Sequence, residues 1–122
     1  MKILSLTTAL ALLAAVGHAQ GYGSGVDGQS VFRVSDTLAP LTVGATSVRS
    51  EKLASETRVI RLTCTEACHY RVGGSGVTAT PSNTLLVGGA SEYFKVPATG
   101  ANYVAAIRAS ADGKLFIDQM VP

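Results

Sequence analysis

From Val31 to Met120 the chain is cut into short apolar stretches, each closed by a residue that turns a backbone. The stretches are Val31–Val34, Leu41–Val48, Arg58–Thr65, Cys68–Val72, Thr84–Val87, Tyr93–Val96, Tyr103–Ala109 and Lys114–Met120. Between them stand Pro40, Gly73-Gly74, Pro81-Ser82-Asn83, Gly88-Gly89, Pro97, Gly100 and Asp112-Gly113. No stretch is long enough for an amphipathic helix of ordinary length, and the recurrence of short apolar runs and turn signals points to strands. The pattern predicts an all-β fold, a small antiparallel β-sandwich of jelly-roll or immunoglobulin-like type. Asp112-Gly113 reads as the sharpest hairpin turn, because tight turns between twisted strands favour residues that tolerate positive φ. Ser50–Glu56 is the one segment expected to form a helical turn, on the propensities of Lys52, Leu53 and Ala54.

The chain has 122 residues, which is one domain's length. Its first part differs from the rest. Lys2 supplies a positive start, Ile3–Val16 is mostly apolar, and Gly17-His18-Ala19 places small residues on either side of His18. That layout predicts a secretory signal cut after Ala19; the other reading is an uncleaved apolar arm. The apolar run is too short to span a membrane, which takes about 20 residues. Residues 20–36, with Gly21, Gly23, Gly25 and Gly28, are expected to be a flexible lead-in or arm, and residues 37–122 the sandwich. Net charge is +2, too small a bias to argue for nucleic acid or an anionic membrane as a partner of the folded domain.

One pairing can be worked out from alternation. Ile60, Leu62 and Cys64 share a strand face, as do Cys68, Tyr70 and Val72. If Thr65-Glu66-Ala67 closes a hairpin, Cys64 faces Cys68, Leu62 faces Tyr70, Ile60 faces Val72, and all three pairs fall on one apolar face. Such a loop ordinarily carries Gly, and none is present, so a longer loop of the same parity is the other form. In that register the opposite face pairs Thr63 with His69 and Arg61 with Arg71. The predicted core is Ile60, Leu62, Tyr70, Val72, Phe94, Val96, Leu115 and Ile117.

Cys64 and Cys68 are the only cysteines. Placed opposite each other, they come within disulfide range. An exported domain favours the bond, and a cytosol-assembled particle favours two reduced core thiols. Cys68 and His69 point to opposite faces of a strand, which argues against a thiol–imidazole catalytic pair. A Cys64/Cys68/His69 metal site would lack a fourth ligand. Gly73-Gly74-Ser75-Gly76 lacks the Lys and helix of a phosphate loop. The acids are scattered, so no catalytic residue, metal ligand or cofactor site is assigned. Arg61 and Arg71, with His69 beside them, form the one candidate partner-docking spot, because like charges directly across a sheet are unfavourable unless splayed or neutralised.

The second half of the chain carries a resemblance. Arg58-Val59-Ile60-Arg61-Leu62, Cys68-His69-Tyr70-Arg71-Val72-Gly73, Thr78-Ala79-Thr80, Leu85-Leu86, Glu92-Tyr93-Phe94, Val104–Ile107 and Gly113-Lys114-Leu115-Phe116-Ile117 follow in order. This order resembles small β-sandwich virion proteins of tailed bacteriophages, over about residues 57–122. The resemblance implies a non-enzymatic virion role. It would be a capsid decoration or cement subunit that binds the major capsid protein or other virion proteins, as a homo-oligomer such as a trimer. The signal-like start departs from that pattern. It supports an alternative: a secreted or periplasmic bacterial β-sandwich binding module.

Overall fold

The computed structural model describes residues 31–122, and the signal-like segment 1–19 and most of the Gly-rich lead-in lie outside the described residues. The described residues form nine strands and no helix. These are β1 (Arg33–Thr37), β2 (Leu41–Val43), β3 (Val48–Arg49), β4 (Val59–Cys64), β5 (Cys68–Gly73), β6 (Thr84–Leu86), β7 (Ser91–Lys95), β8 (Tyr103–Arg108) and β9 (Gly113–Val121). They make two antiparallel sheets. The first has the order β1-β9-β4-β7, with β2 also pairing β9, and the second has the order β3-β8-β5-β6.

Alternation explains the strands. In β4 every second residue is buried, so Ile60, Leu62 and Cys64 point inward and Val59, Arg61 and Thr63 outward. In β9 the buried residues are Leu115, Ile117 and Gln119. β5 buries Cys68 and Tyr70 and turns His69 and Arg71 outward. The inner faces interleave Ile60, Leu62, Leu115 and Ile117 from one sheet with Tyr70, Leu86, Val104 and Ala106 from the other. Of the predicted core, Val72 and Phe94 are only partly buried and pack against this cluster. Phe94 meets the Tyr70 ring edge-on, with centroids 6.5 Å apart. Leu38, Val43, Leu53, Cys64, Cys68 and Val96 complete the core.

The predicted hairpin is not formed. β4 pairs with β7 and β9, and β5 pairs with β6 and β8, so the two strands lie in different sheets. Residues 65–67 form an arch from one sheet to the other. Leu62 pairs with Ile117 and Glu92, not Tyr70, and Tyr70 pairs with Ala106. Arg61 therefore does not oppose Arg71. The expected Asp112-Gly113 hairpin is likewise an inter-sheet connection, since both edges of β9 are already taken by β4 and by β1 with β2. Only β5 and β6 pair as sequence neighbours. Ser50–Glu56 is not helical: Ser50 N–H and Leu53 N–H donate to the Val104 and Asn102 carbonyls at 2.7 and 2.8 Å, holding Ser50–Leu53 along β8, and a turn follows, closed by Thr57 N–H donating to the Ala54 carbonyl at 3.1 Å. Residues 33–36, expected to belong to the flexible arm, form most of β1 on the β9 edge.

Gly113 serves close packing rather than a positive φ. A Cβ there would lie 2.8 Å from the Thr65 hydroxyl oxygen and 3.0 Å from Glu66 N, so the arch rests directly on β9 backbone. Gly113→Ala is expected to destabilise the fold by ~1–3 kcal/mol through overpacking. Gly76, whose added Cβ meets nothing within 4 Å, should accept Ala within ~0.5 kcal/mol. Urea unfolding of both variants checks this, and equal stability would contradict the packing of the arch.

Candidate docking face

The arch ends in a covalent link. Cys64 and Cys68 form a disulfide, with Cα atoms 6.4 Å apart and both residues 1% exposed. The bond joins the end of β4 in one sheet to the start of β5 in the other. Hydrogen bonds fix the arch on both flanks: Gly89 N–H donates to Cys64 C=O at 2.8 Å, Thr65 N–H to Lys114 C=O at 2.9 Å, and Ala109 N–H to Ala67 C=O at 3.0 Å. Lys114 N–H donates back to the Thr65 hydroxyl at 2.9 Å.

Because the arch crosses between the sheets, the residues expected to cluster are divided. Arg61 lies on the outer face of the first sheet. Its Nε donates to Asp118 at 2.9 Å, and the Thr37 hydroxyl donates to the same carboxylate's other oxygen at 2.7 Å. Partial burial pushes the Asp118 carboxyl up. The Thr37 and Arg61 hydrogen bonds and the Arg61 charge outweigh that and hold it below the usual carboxylate range. Arg61 is thus neutralised in place. On the inner side, burial, with the nearby Glu92 carboxylate, pushes the Tyr70 hydroxyl up, and that hydroxyl donates to Glu92 at 3.3 Å.

Arg71 and His69 lie on the outer face of the second sheet. His69 Nδ1 donates to the Asn83 carbonyl at 3.0 Å; that oxygen can only accept, so Nδ1 carries the proton. Arg71 is exposed and has no side-chain partner among the described residues. Sequence reasoning missed the residues that complete this face. Ala105 of β8 is paired with Arg49 on one side and Arg71 on the other, so both arginines stand at one level of the sheet. Ala105 faces outward yet is fully buried. The Arg49 guanidinium lies 4.4 Å from the Tyr103 ring centroid and donates to the Ser75 carbonyl. Arg49 sits just past the expected strand end at Val48, and no local pattern ties a two-residue strand to β8. Tyr103 falls on an expected strand but carries no signal for its arginine partner.

The charge is unevenly divided. The strands of the second sheet contain Arg49, Arg71 and Arg108 and no acid. Arg108 is paired with Asp112. In the first sheet Asp36, Glu92 and Asp118 offset Arg33, Arg61, Lys95 and Lys114. Among the described residues no group of three or more His, Cys, Asp or Glu side chains is arranged to hold a metal ion. Compared with protein-family models, with curated proteins and with solved structures, the chain finds no match.

Two measurements check this description. Intact mass should rise by about two hydrogens on reduction, and reduction should lower stability by about 2 kcal/mol, the chain-entropy value for so short a loop. An unchanged mass would contradict the bond. Asp118, held below its ordinary value, stabilises the fold fully above the unfolded carboxylate pKa of about 3.9. That contribution is lost as pH falls through the lower folded value. The urea midpoint should therefore fall on acidification through this range. Asp118→Asn should start lower at neutral pH and show a shallower acid dependence.

Proposed function

We propose that this protein is a bacteriophage virion structural protein, a capsid decoration or cement subunit that binds the major capsid protein. The role is docking, with no catalytic step. The observation that carries the reading is the open rim formed by β6 and β7. Each is the last strand of its sheet, each pairs on one edge only, and residues 87–90 connect them. This rim exposes Leu85, Val87 and Tyr93 at 48%, 60% and 62%. Open strand edges bearing apolar side chains suit addition to a neighbour's surface. Many copies on a symmetric shell make modest individual contacts sufficient. The phage-like segments over residues 57–122 support the same reading, since they supply β4 to β9, the framework of both sheets.

A second reading is favoured by one observation. The Cys64–Cys68 disulfide suits an oxidising compartment, as expected of a secreted or periplasmic binding module released by cleavage at Ala19. Mass spectrometry separates the two. The virion reading expects the chain in purified phage particles at a stoichiometry comparable to the capsid protein. Absence from particles, together with a chain starting at Gln20 in the periplasm or medium, would overturn it.

A further inference from the structure

We infer that β7 pairs edge to edge with β7 of a second copy of this chain, antiparallel about a two-fold axis at Tyr93, so that the first sheets of the two copies join into one. The inference goes beyond the capsid reading and stands whether or not the chain belongs to a virion.

The edge is open and regular. β7 is the last strand of its sheet, and among the described residues no strand pairs with its outer edge. Two hydrogen bonds show which backbone groups are free. Val96 N–H donates to Arg58 C=O at 2.9 Å on the β7 side of β4, and Thr65 N–H donates to Lys114 C=O at 2.9 Å on the β9 side. Successive residues of an antiparallel strand turn their backbone groups to opposite sides. Even-numbered residues of β4 therefore bond to β7 and odd-numbered ones to β9. Ile60 is level with Phe94 and Leu62 with Glu92, so Phe94 and Glu92 turn their N–H and C=O groups to β4. Ser91, Tyr93 and Lys95 are left with both groups aimed off the sheet, and all three residues are exposed. The opposite end of this sheet is built differently. β1 carries a bulge between Val34 and Asp36, which spoils an edge for further pairing. β7 runs beside β4 with no break in register.

The residues of β7 select a second copy and one register. Free groups that recur at Ser91, Tyr93 and Lys95 are self-complementary when Tyr93 lies on the axis. Tyr93 then faces the partner's Tyr93, and Ser91 faces the partner's Lys95, each pair exchanging two N–H···O=C bonds. The same register sets Glu92 beside the partner's Phe94. No like charges are opposed, and the two tyrosines make an aromatic cross-strand pair. Moving the axis to Glu92 would set two carboxylates against each other. Moving it to Phe94 would bring Pro97, which has no N–H, opposite the partner's Ser91 and lose a bond. Arg61 stands level with Tyr93, and its charge is already met by Asp118, so neither copy brings an unmatched arginine to the seam. The pairing does not use Leu85 or Val87, which leaves the β6 side of the rim for a different protein.

The test uses the full-length oxidised chain in sedimentation equilibrium over a micromolar concentration range. The expected result is a reversible monomer–dimer equilibrium. Tyr93→Lys puts two ammonium groups on the axis and should raise the dissociation constant about tenfold or more, with the β-sheet circular dichroism spectrum retained. Leu85→Lys makes the same change of charge on β6 and should leave the constant nearly unchanged. Register is read by air oxidation of cysteine variants. An equal mixture of Ser91→Cys and Lys95→Cys should give a cross-linked dimer, because bonded antiparallel partners lie about 5.5 Å apart at Cα, within disulfide range. Either variant alone should give none. A chain that stays monomeric or assembles as a trimer overturns the inference, as does a dimer that Tyr93→Lys leaves intact. A dimer in which the mixture fails to cross-link also overturns it, and this result decides if Tyr93→Lys does not fold. Presence in phage particles is measured separately: a dimer absent from particles would fault only the capsid assignment, and a monomer found in them only the pairing of copies.

Discussion

The fold turns on the short arch that carries the chain from one sheet to the other between Cys64 and Cys68. Two buried sulfur atoms join the strands across the core. The intervening residues 65–67 lie against glycine backbone on both sides. A Cβ on Gly88 would come within 3.1 Å of Ala67 N, and one on Gly113 within 2.8 Å of the Thr65 hydroxyl. Backbone hydrogen bonds to Gly89, Ala109 and Lys114 tie the arch to the β6–β7 connection, the β8–β9 connection and β9. The separation of the two sheets at this end is thereby set by covalent and hydrogen-bonded geometry, with the apolar core filling the space that remains.

The far end of β4 is held differently. There the segment from Ser50 to Arg58 bridges the sheets through polar contacts. Gln119 is 1% exposed, and its side-chain oxygen accepts from Ala54 N–H at 2.6 Å and from the Thr57 hydroxyl at 2.8 Å. Ser50 accepts from Val104 N–H at 3.0 Å. No buried side-chain polar atom among the described residues lacks a partner, as a uniquely packed sandwich requires. Between these two clamps the alternation of β4 and β5 decides what each outer face carries. One face receives Arg61 with Asp118 and Thr37 around it. The other receives Arg71, level with Arg49 across Ala105, with no acid in any of its strands. The uneven charge of the two outer faces thus follows from the arch.

Much of this was readable in the residues, and what was not has a specific cause. Every apolar stretch marked off by Pro, Gly or Asn has a strand within it or overlapping it. The side-chain parity of β4 and β5 was also right, since Ile60, Leu62, Cys64, Cys68 and Tyr70 all point inward. Parity, however, does not distinguish two strands paired side by side from two strands stacked face to face. Both arrangements bring those apolar residues together, so the hairpin and the arch look alike from alternation alone. The choice was made by β9, whose Leu115, Ile117 and Gln119 take the β4 edge that the hairpin would have given to β5. That is a long-range competition with no local signature. The Arg49–Tyr103 contact was hidden for the same reason: the partners stand on strands joined only by the fold. Ser50–Glu56 followed tertiary hydrogen bonds to β8 over its modest helical propensity.

The most direct test of this account is the strand pairing on either side of the arch, read as backbone proton–proton contacts by NMR. Contacts are expected between Leu62 and Ile117 and between Tyr70 and Ala106. Such contacts would place Arg61 and Arg71 on opposite outer faces. Backbone contacts between Leu62 and Tyr70, or between Ile60 and Val72, would contradict it. They would return the two arginines to one outer face.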